Sequence, residues 1–128
     1  MSARQSRGFT LIELIVVMAI VALLAGIAAP RYFASVDRAK ANTLRSSLVI
    51  MRDALDKYAA DKGRYPESLE QLVEERYLRR LPEDPLTGNA QSWVILAPPP
   101  AGDLTGQVGD VRSGAAGSAP DGSLYADW

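Results

Sequence analysis

An α+β fold, one long N-terminal helix packed on a small antiparallel sheet, follows from three features of the chain. Residues 9–29 are almost continuously apolar. Residues 36–62 repeat apolar side chains at helical spacing, and WVILA with the later QVGDVRSG supplies two short strands. At 128 residues there is room for one folded domain besides the apolar run. The chain divides into a basic leader, residues 1–8, an apolar helical half, residues 9–30, and a globular domain, residues 31–128. There is no histidine or cysteine, which excludes histidine acid/base chemistry, thiol catalysis, Cys/His zinc sites and disulfides. With a formal charge of −1 there is no basic surplus to attract nucleic acid, so none is expected as a partner.

The apolar run is the first element. From Phe9 to Ala29 only Thr10 and Glu13 are clearly polar. Its 21 residues span about 32 Å as a helix, the thickness of a bilayer's hydrocarbon core. Arg4 and Arg7 precede it without an acidic residue, which keeps the N-terminus in the cytoplasm. A secretory signal peptide has a shorter core, about 7–15 residues, and no carboxylate. A plain anchor accounts for the length but not for Glu13, since an ionisable group there costs about 2.5–3.5 kcal/mol even on lenient insertion scales. Glu13 needs a partner.

The stretch RGFTLIELIVVMAIVALLAG, with Gly8, Phe9 and Glu13 in that spacing, resembles the N-terminus of type IV pilins and of the pseudopilins of type II secretion. The resemblance implies a pilin-like fold, cleavage by a prepilin peptidase after Gly8, and N-methylation of the new N-terminal Phe9. It also implies that Glu13 serves assembly. Physical chemistry agrees, because cleavage creates an ammonium on Phe9 that is itself a costly buried ion. In a filament, Glu13 of an incoming subunit meets the Phe9 ammonium of a docked one, and the pair fixes axial register. Further along, Gly26 and Pro30 weaken the helix, since glycine is a poor helix former and proline lacks the N–H. Pro30 either marks the exit from the membrane or, as the resemblance suggests, lies in a segment that bends or loosens in the filament.

The amphipathic half of the helix comes next. Leu44, Leu48, Met51, Leu55 and Tyr58 are spaced four, three, four and three, one apolar stripe. It is too short for a coiled coil, so it buries against the domain's own sheet. Gly63 stops the helix and Tyr65-Pro66 turns the chain. PESLEQLVEERYL predicts a second helix with Leu69, Leu72 and Val73 on one side, and LPEDPLTGN a turn-rich connector. WVILA is the best strand, stopped by APPPAGD. The rest is loop, with Tyr125 and Trp128 folding back on the core. YPESLEQLVEERYLRRLPEDPLTG resembles the corresponding run of the major pseudopilins of type II secretion, at shortened spacing.

The same resemblance implies one structural calcium ion near the C-terminus, held by carboxylates and backbone carbonyls. Calcium takes six to eight oxygens in flexible geometry, and the candidates are Asp110, Ser113, Asp121 and Asp127. The family's tight aspartate cluster is thinned here by Ala115, Ala116 and Ala119. Asp110 and Asp121 alternatively cap turns.

The expected function is that of a structural subunit, not an enzyme. By resemblance it is an inner-membrane protein with its C-terminal domain in the periplasm. It assembles into a periplasmic filament with copies of itself and with minor pseudopilins, on an inner-membrane assembly platform. The alternative is a surface type IV pilus subunit, which the lack of cysteine disfavours, since many surface pilins brace their C-terminal loop with a disulfide. A hydrolase using Asp110 and Asp121 lacks the cleft such a pair needs. A monomeric binding module leaves Glu13 without a role.

Overall fold

The computed structural model describes residues 7–128, so Arg4 lies outside the described residues. The chain forms two compact units, one ending at Val36 and one running from Asp37 to Trp128. The second unit begins at Asp37, within the globular domain expected over residues 31–128. The elements are helix α1 (Leu11–Lys62), helix α2 (Leu69–Glu74), strand β1 (Val94–Leu96), strand β2 (Asp110–Arg112) and a 3₁₀ turn at Tyr125–Asp127.

In the first unit, α1 begins at Leu11 rather than at Phe9, because Thr10 caps it. The Thr10 hydroxyl accepts the N–H of Glu13 at 3.2 Å and its carbonyl accepts that of Leu14 at 3.1 Å. The helix then continues through Gly26 and Pro30, so neither residue ends it. Both act on one turn: Pro30 offers no N–H to the carbonyl four residues back, which is that of Gly26.

In the second unit the amphipathic stripe forms the core as expected. Leu44, Leu48, Met51, Leu55 and Tyr58 are at most 2% exposed, and Leu72, Val108, Val111 and Tyr125 pack with them. Gly63 ends α1 at φ +68°, where a side chain would be strained, and its N–H closes on the Ala59 carbonyl.

Helix α2 is shorter than PESLEQLVEERYL suggests. It starts after Ser68, whose hydroxyl accepts the Gln71 N–H at 3.3 Å, while the Gln71 side chain accepts the Glu67 N–H at 2.8 Å. It stops because Arg76 adopts φ +66°. Arg76 N–H then bonds Val73 O, and Tyr77 N–H bonds Leu72 O, the paired closure of a Schellman stop. An arginine in the left-handed position carries no sequence signal for that ending.

The two strands pair antiparallel, with Val94 opposite Arg112, Ile95 opposite Val111 and Leu96 opposite Asp110. The weaker sequence signal is the buried strand: Val111 is 0% exposed, whereas Val94 and Ile95 on β1 remain half-exposed. Beyond β2 a Cβ on Gly114 would collide with the Ser92 carbonyl, so only glycine lets the two segments close there.

Candidate functional site

Gly8, Phe9 and Glu13 lie together at the start of the first unit, all exposed, and with Arg7 they border one shallow depression. Gly8 and Phe9 precede the helix in non-helical backbone, the conformation a protease needs to reach a peptide bond. Glu13 occupies the third helical position after the Thr10 cap, where the positive end of the helix dipole favours a carboxylate. No cation among the described residues forms an ion pair with it. Thr10, a polar interruption of the apolar run, is the residue that fixes where Glu13 sits. The threonine followed three residues later by glutamate is a capping signature that the sequence did contain.

Around Glu13 the surface is apolar. All twelve large apolar residues from Leu11 to Ile27 are exposed, from 48% for Val17 to 73% for Leu11 and Ile12, and Phe9 is 88% exposed. At about 1.5–3 kcal/mol each, leaving them in water exceeds a domain's whole stability of about 5–15 kcal/mol. One helix among the described residues is long and apolar enough to cross a membrane, and it is this one. Tyr32 and Phe33, exposed and stacked edge to face at 5.8 Å, follow the apolar stretch as an aromatic pair suited to a headgroup region.

The four candidate calcium ligands have separate engagements. Asp110 accepts Arg52 Nε at 2.9 Å and the Val111 N–H at 2.7 Å. Asp121 accepts Arg45 on one oxygen, at 2.9 Å, and both the hydroxyl and N–H of Ser123 on the other. Those Ser123 bonds, with Arg45 behind them, hold the Asp121 carboxyl below the usual carboxylate range. Ser113 donates to Asp84 and accepts from the Ala115 N–H, so its oxygen faces inward. Asp127 stands exposed on the 3₁₀ turn. Among the described residues no three carboxylates group closely enough to hold a metal ion. As a set, these residues do not fit calcium.

Asp84, in the LPEDPLTGN connector, is the acidic residue at the centre of this region. It is fully buried, and its two oxygens accept Ser113 Oγ and the Leu86 N–H. Its backbone N–H bonds Asn89 O and its carbonyl accepts the Gly88 N–H, which closes the connector on itself. Trp93 donates to the Pro82 carbonyl beside it. An aspartate between two turn-forming prolines reads as a loop residue, so its burial was not legible.

Comparison with known proteins agrees with this geometry. Residues 3–29 match the prokaryotic N-terminal methylation motif. The chain is 34% identical over 107 residues to the type II secretion system core protein G of Klebsiella michiganensis, covering 71% of this chain and 75% of that protein. It is 35% identical over 110 residues to that of Escherichia coli strain K12, covering 73% and 74%, and 34% identical over 110 residues to that of Pseudomonas aeruginosa, covering 73% and 77%. No solved structure matches the chain. With an apolar, capped N-terminal helix that carries Glu13, a globular unit folded on the same helix, and these relatives over most of its length, the chain belongs to the core protein G family of type II secretion, the major pseudopilins.

Proposed function

We propose that this pseudopilin works as the repeating structural subunit of a periplasmic pseudopilus that drives type II secretion. Prepilin peptidase cuts after Gly8, Phe9 is N-methylated, and Glu13 pairs with the Phe9 ammonium of a neighbouring subunit. The observation that carries this reading is the exposed apolar surface from Leu11 to Ile27, with one carboxylate at its capped end that no cation among the described residues pairs with. Such a surface requires lipid before assembly and neighbouring subunits afterwards, and cleavage removes Arg4 and Arg7 with the leader while creating the Phe9 ammonium as the cation a neighbouring subunit can offer to Glu13. Before assembly the subunit is held in the inner membrane, N-terminus in the cytoplasm, with Tyr32 and Phe33 at the headgroups and residues 37–128 in the periplasm. The missing Pro30 N–H at the Gly26 carbonyl gives the turn where the helix loosens during packing. Minor pseudopilins and the assembly platform are the further partners. A surface pilus is not favoured, given the relatives found.

The test compares Glu13→Ala with the unaltered chain in a host with the complete secretion system. The variant is expected at normal or raised membrane level, because an ionisable group is removed from the membrane segment, with cross-linkable polymer reduced at least about tenfold. Intact mass of the wild-type polymer subunit should correspond to a chain starting at N-methylated Phe9. Normal polymer from the variant, or a subunit mass retaining residues 1–8, refutes the reading.

A further inference from the structure

Two arginines of α1 reach the acidic residues that the family resemblance assigns to calcium. Arg45 and Arg52 are seven residues apart, two helical turns, so they share a face, about 10 Å from each other. Both border the buried stripe, and together they hold the C-terminal segment at several points. Arg52 donates to the Asp110 carboxylate at 2.9 Å, to the Val111 carbonyl at 3.0 Å and to the Trp128 carbonyl at 2.8 Å. Arg45 donates to Asp121 at 2.9 Å, and its guanidinium lies 4.2 Å from the centre of the Trp128 ring. Trp128 in turn donates its indole N–H to Ser123 Oγ at 2.7 Å and stacks edge to face on buried Tyr125. Ser123 donates to Asp121, which closes the circuit.

We infer that in this chain the guanidiniums of Arg45 and Arg52 take the place of a bound calcium, so that the C-terminal segment is held without any metal. The reason is one of charge and valence. Calcium needs six to eight oxygens around one point, while here Asp110 and Asp121 are each drawn to a different arginine, two turns apart. An ion entering at either aspartate would displace its guanidinium and then face that cation at close range, which Coulomb repulsion opposes. Arginine also suits the acceptors, since its planar fork serves carboxylate and carbonyl oxygens together where a lysine supplies a point charge. With no cysteine to cross-link it, the segment is tied by this clamp, by the Ser113–Asp84 bond and by the Tyr125–Trp128 packing.

The experiment uses the full chain in detergent micelles. Thermal melting is followed by tryptophan fluorescence in chelator and in excess calcium, and calcium uptake is measured by equilibrium dialysis. The expected result is an unchanged melting curve and no stoichiometric uptake. A saturable rise in melting temperature with calcium alone, or one ion bound per chain, overturns the inference. In parallel, limited proteolysis follows cleavage within residues 113–128 in Arg45→Gln/Arg52→Gln. Loss of these charge-assisted bonds should speed cleavage about tenfold or more. Raising monovalent salt to about 0.5 M should speed it in the wild type by a smaller factor. If the double variant does not fold, Arg45→Gln, which removes only the more exposed pair, decides the point. Wild-type cleavage rates in the folded arginine variants overturn the clamp.

Discussion

The two regions of α1 use the same residue types in opposite ways. From Leu11 to Ile27 every large apolar side chain is exposed, while Leu44, Leu48, Met51 and Leu55 are buried to within 2%. Both stretches are helical and carry leucine, isoleucine and valine, but the first has Glu13 as its one charged residue, whereas the second interleaves Arg45, Arg52 and Asp53 among its apolar residues. What differs as well is the return of the chain. Residues 66–128 supply Leu72, Val108, Val111 and Tyr125 to cover the second stretch, and among the described residues of its own unit the first has no cover. Hydrophobicity fixes that a surface must be covered. Whether its own chain or another molecule does so depends on what else the sequence provides.

That contrast has a direct test. Leu48→Asp places an unpaired charge in the core and should cost about 3–5 kcal/mol, abolishing cooperative unfolding of residues 37–128 as followed by tryptophan fluorescence. Leu23→Asp should leave that transition in place and lower membrane insertion by about 2.5–3.5 kcal/mol. Equal loss of the transition in both variants would mean that the first region also belongs to the globular core.

A smaller effect is expected from the polar centre of the globular unit. Asp84→Ala strips the Ser113 hydroxyl and Leu86 N–H of their acceptor, and burial of these unpaired groups should cost about 2–3 kcal/mol in chemical denaturation. A loss below about 0.5 kcal/mol would show that water replaces the carboxylate.

In the other direction, Arg76→Gly relieves a left-handed backbone at the stop of α2 and should stabilise the unit by up to about 1 kcal/mol. Destabilisation instead would assign Arg76 a contact that outweighs its strain.

The smallest effect is the pH dependence of Asp121. Its carboxyl is held below the usual range chiefly by Ser123, so its folded value lies below its unfolded one, about 3.9. The stability it contributes is therefore complete above that unfolded value and is lost as pH falls through the lower folded one. Asp121→Asn should flatten the acid limb of the melting profile slightly. An unchanged limb would show that the Ser123 and Arg45 bonds do not couple to folding.

Much of this was legible because it rests on spacing. The stripe from Leu44 to Tyr58, the Gly63 stop, both strands, the folding back of Tyr125 and Trp128, and the Gly8, Phe9, Glu13 pattern follow from periodicity, turn chemistry or motif. What was not legible rests on pairing across long sequence separation. Arg45 and Arg52 read as solvent-facing residues beside the stripe, and only the return of the C-terminal segment gives them Asp121 and Asp110. Ser113 reads as an oxygen ligand, and only burial turns it toward Asp84. The short α2 follows from a left-handed arginine, which no residue preference announces.

The Thr10 cap bears on how the subunit floats. A helix leaves its first N–H groups without acceptors in its own turns, and Thr10 takes those of Glu13 and Leu14, so the ones at Leu11 and Ile12 must be met from outside the helix. In hydrocarbon each unmet group costs several kcal/mol. On the proposed membrane placement the first turn therefore acts as a waterline, keeping Phe9 and Glu13 at the depth of lipid ester and phosphate oxygens while the rest of the apolar helix is submerged. In the proposed assembly, drawing a subunit out of the bilayer into a filament pulls that waterline through the oil, a passage made tolerable when a neighbouring chain offers oxygens and an opposite charge at the same level.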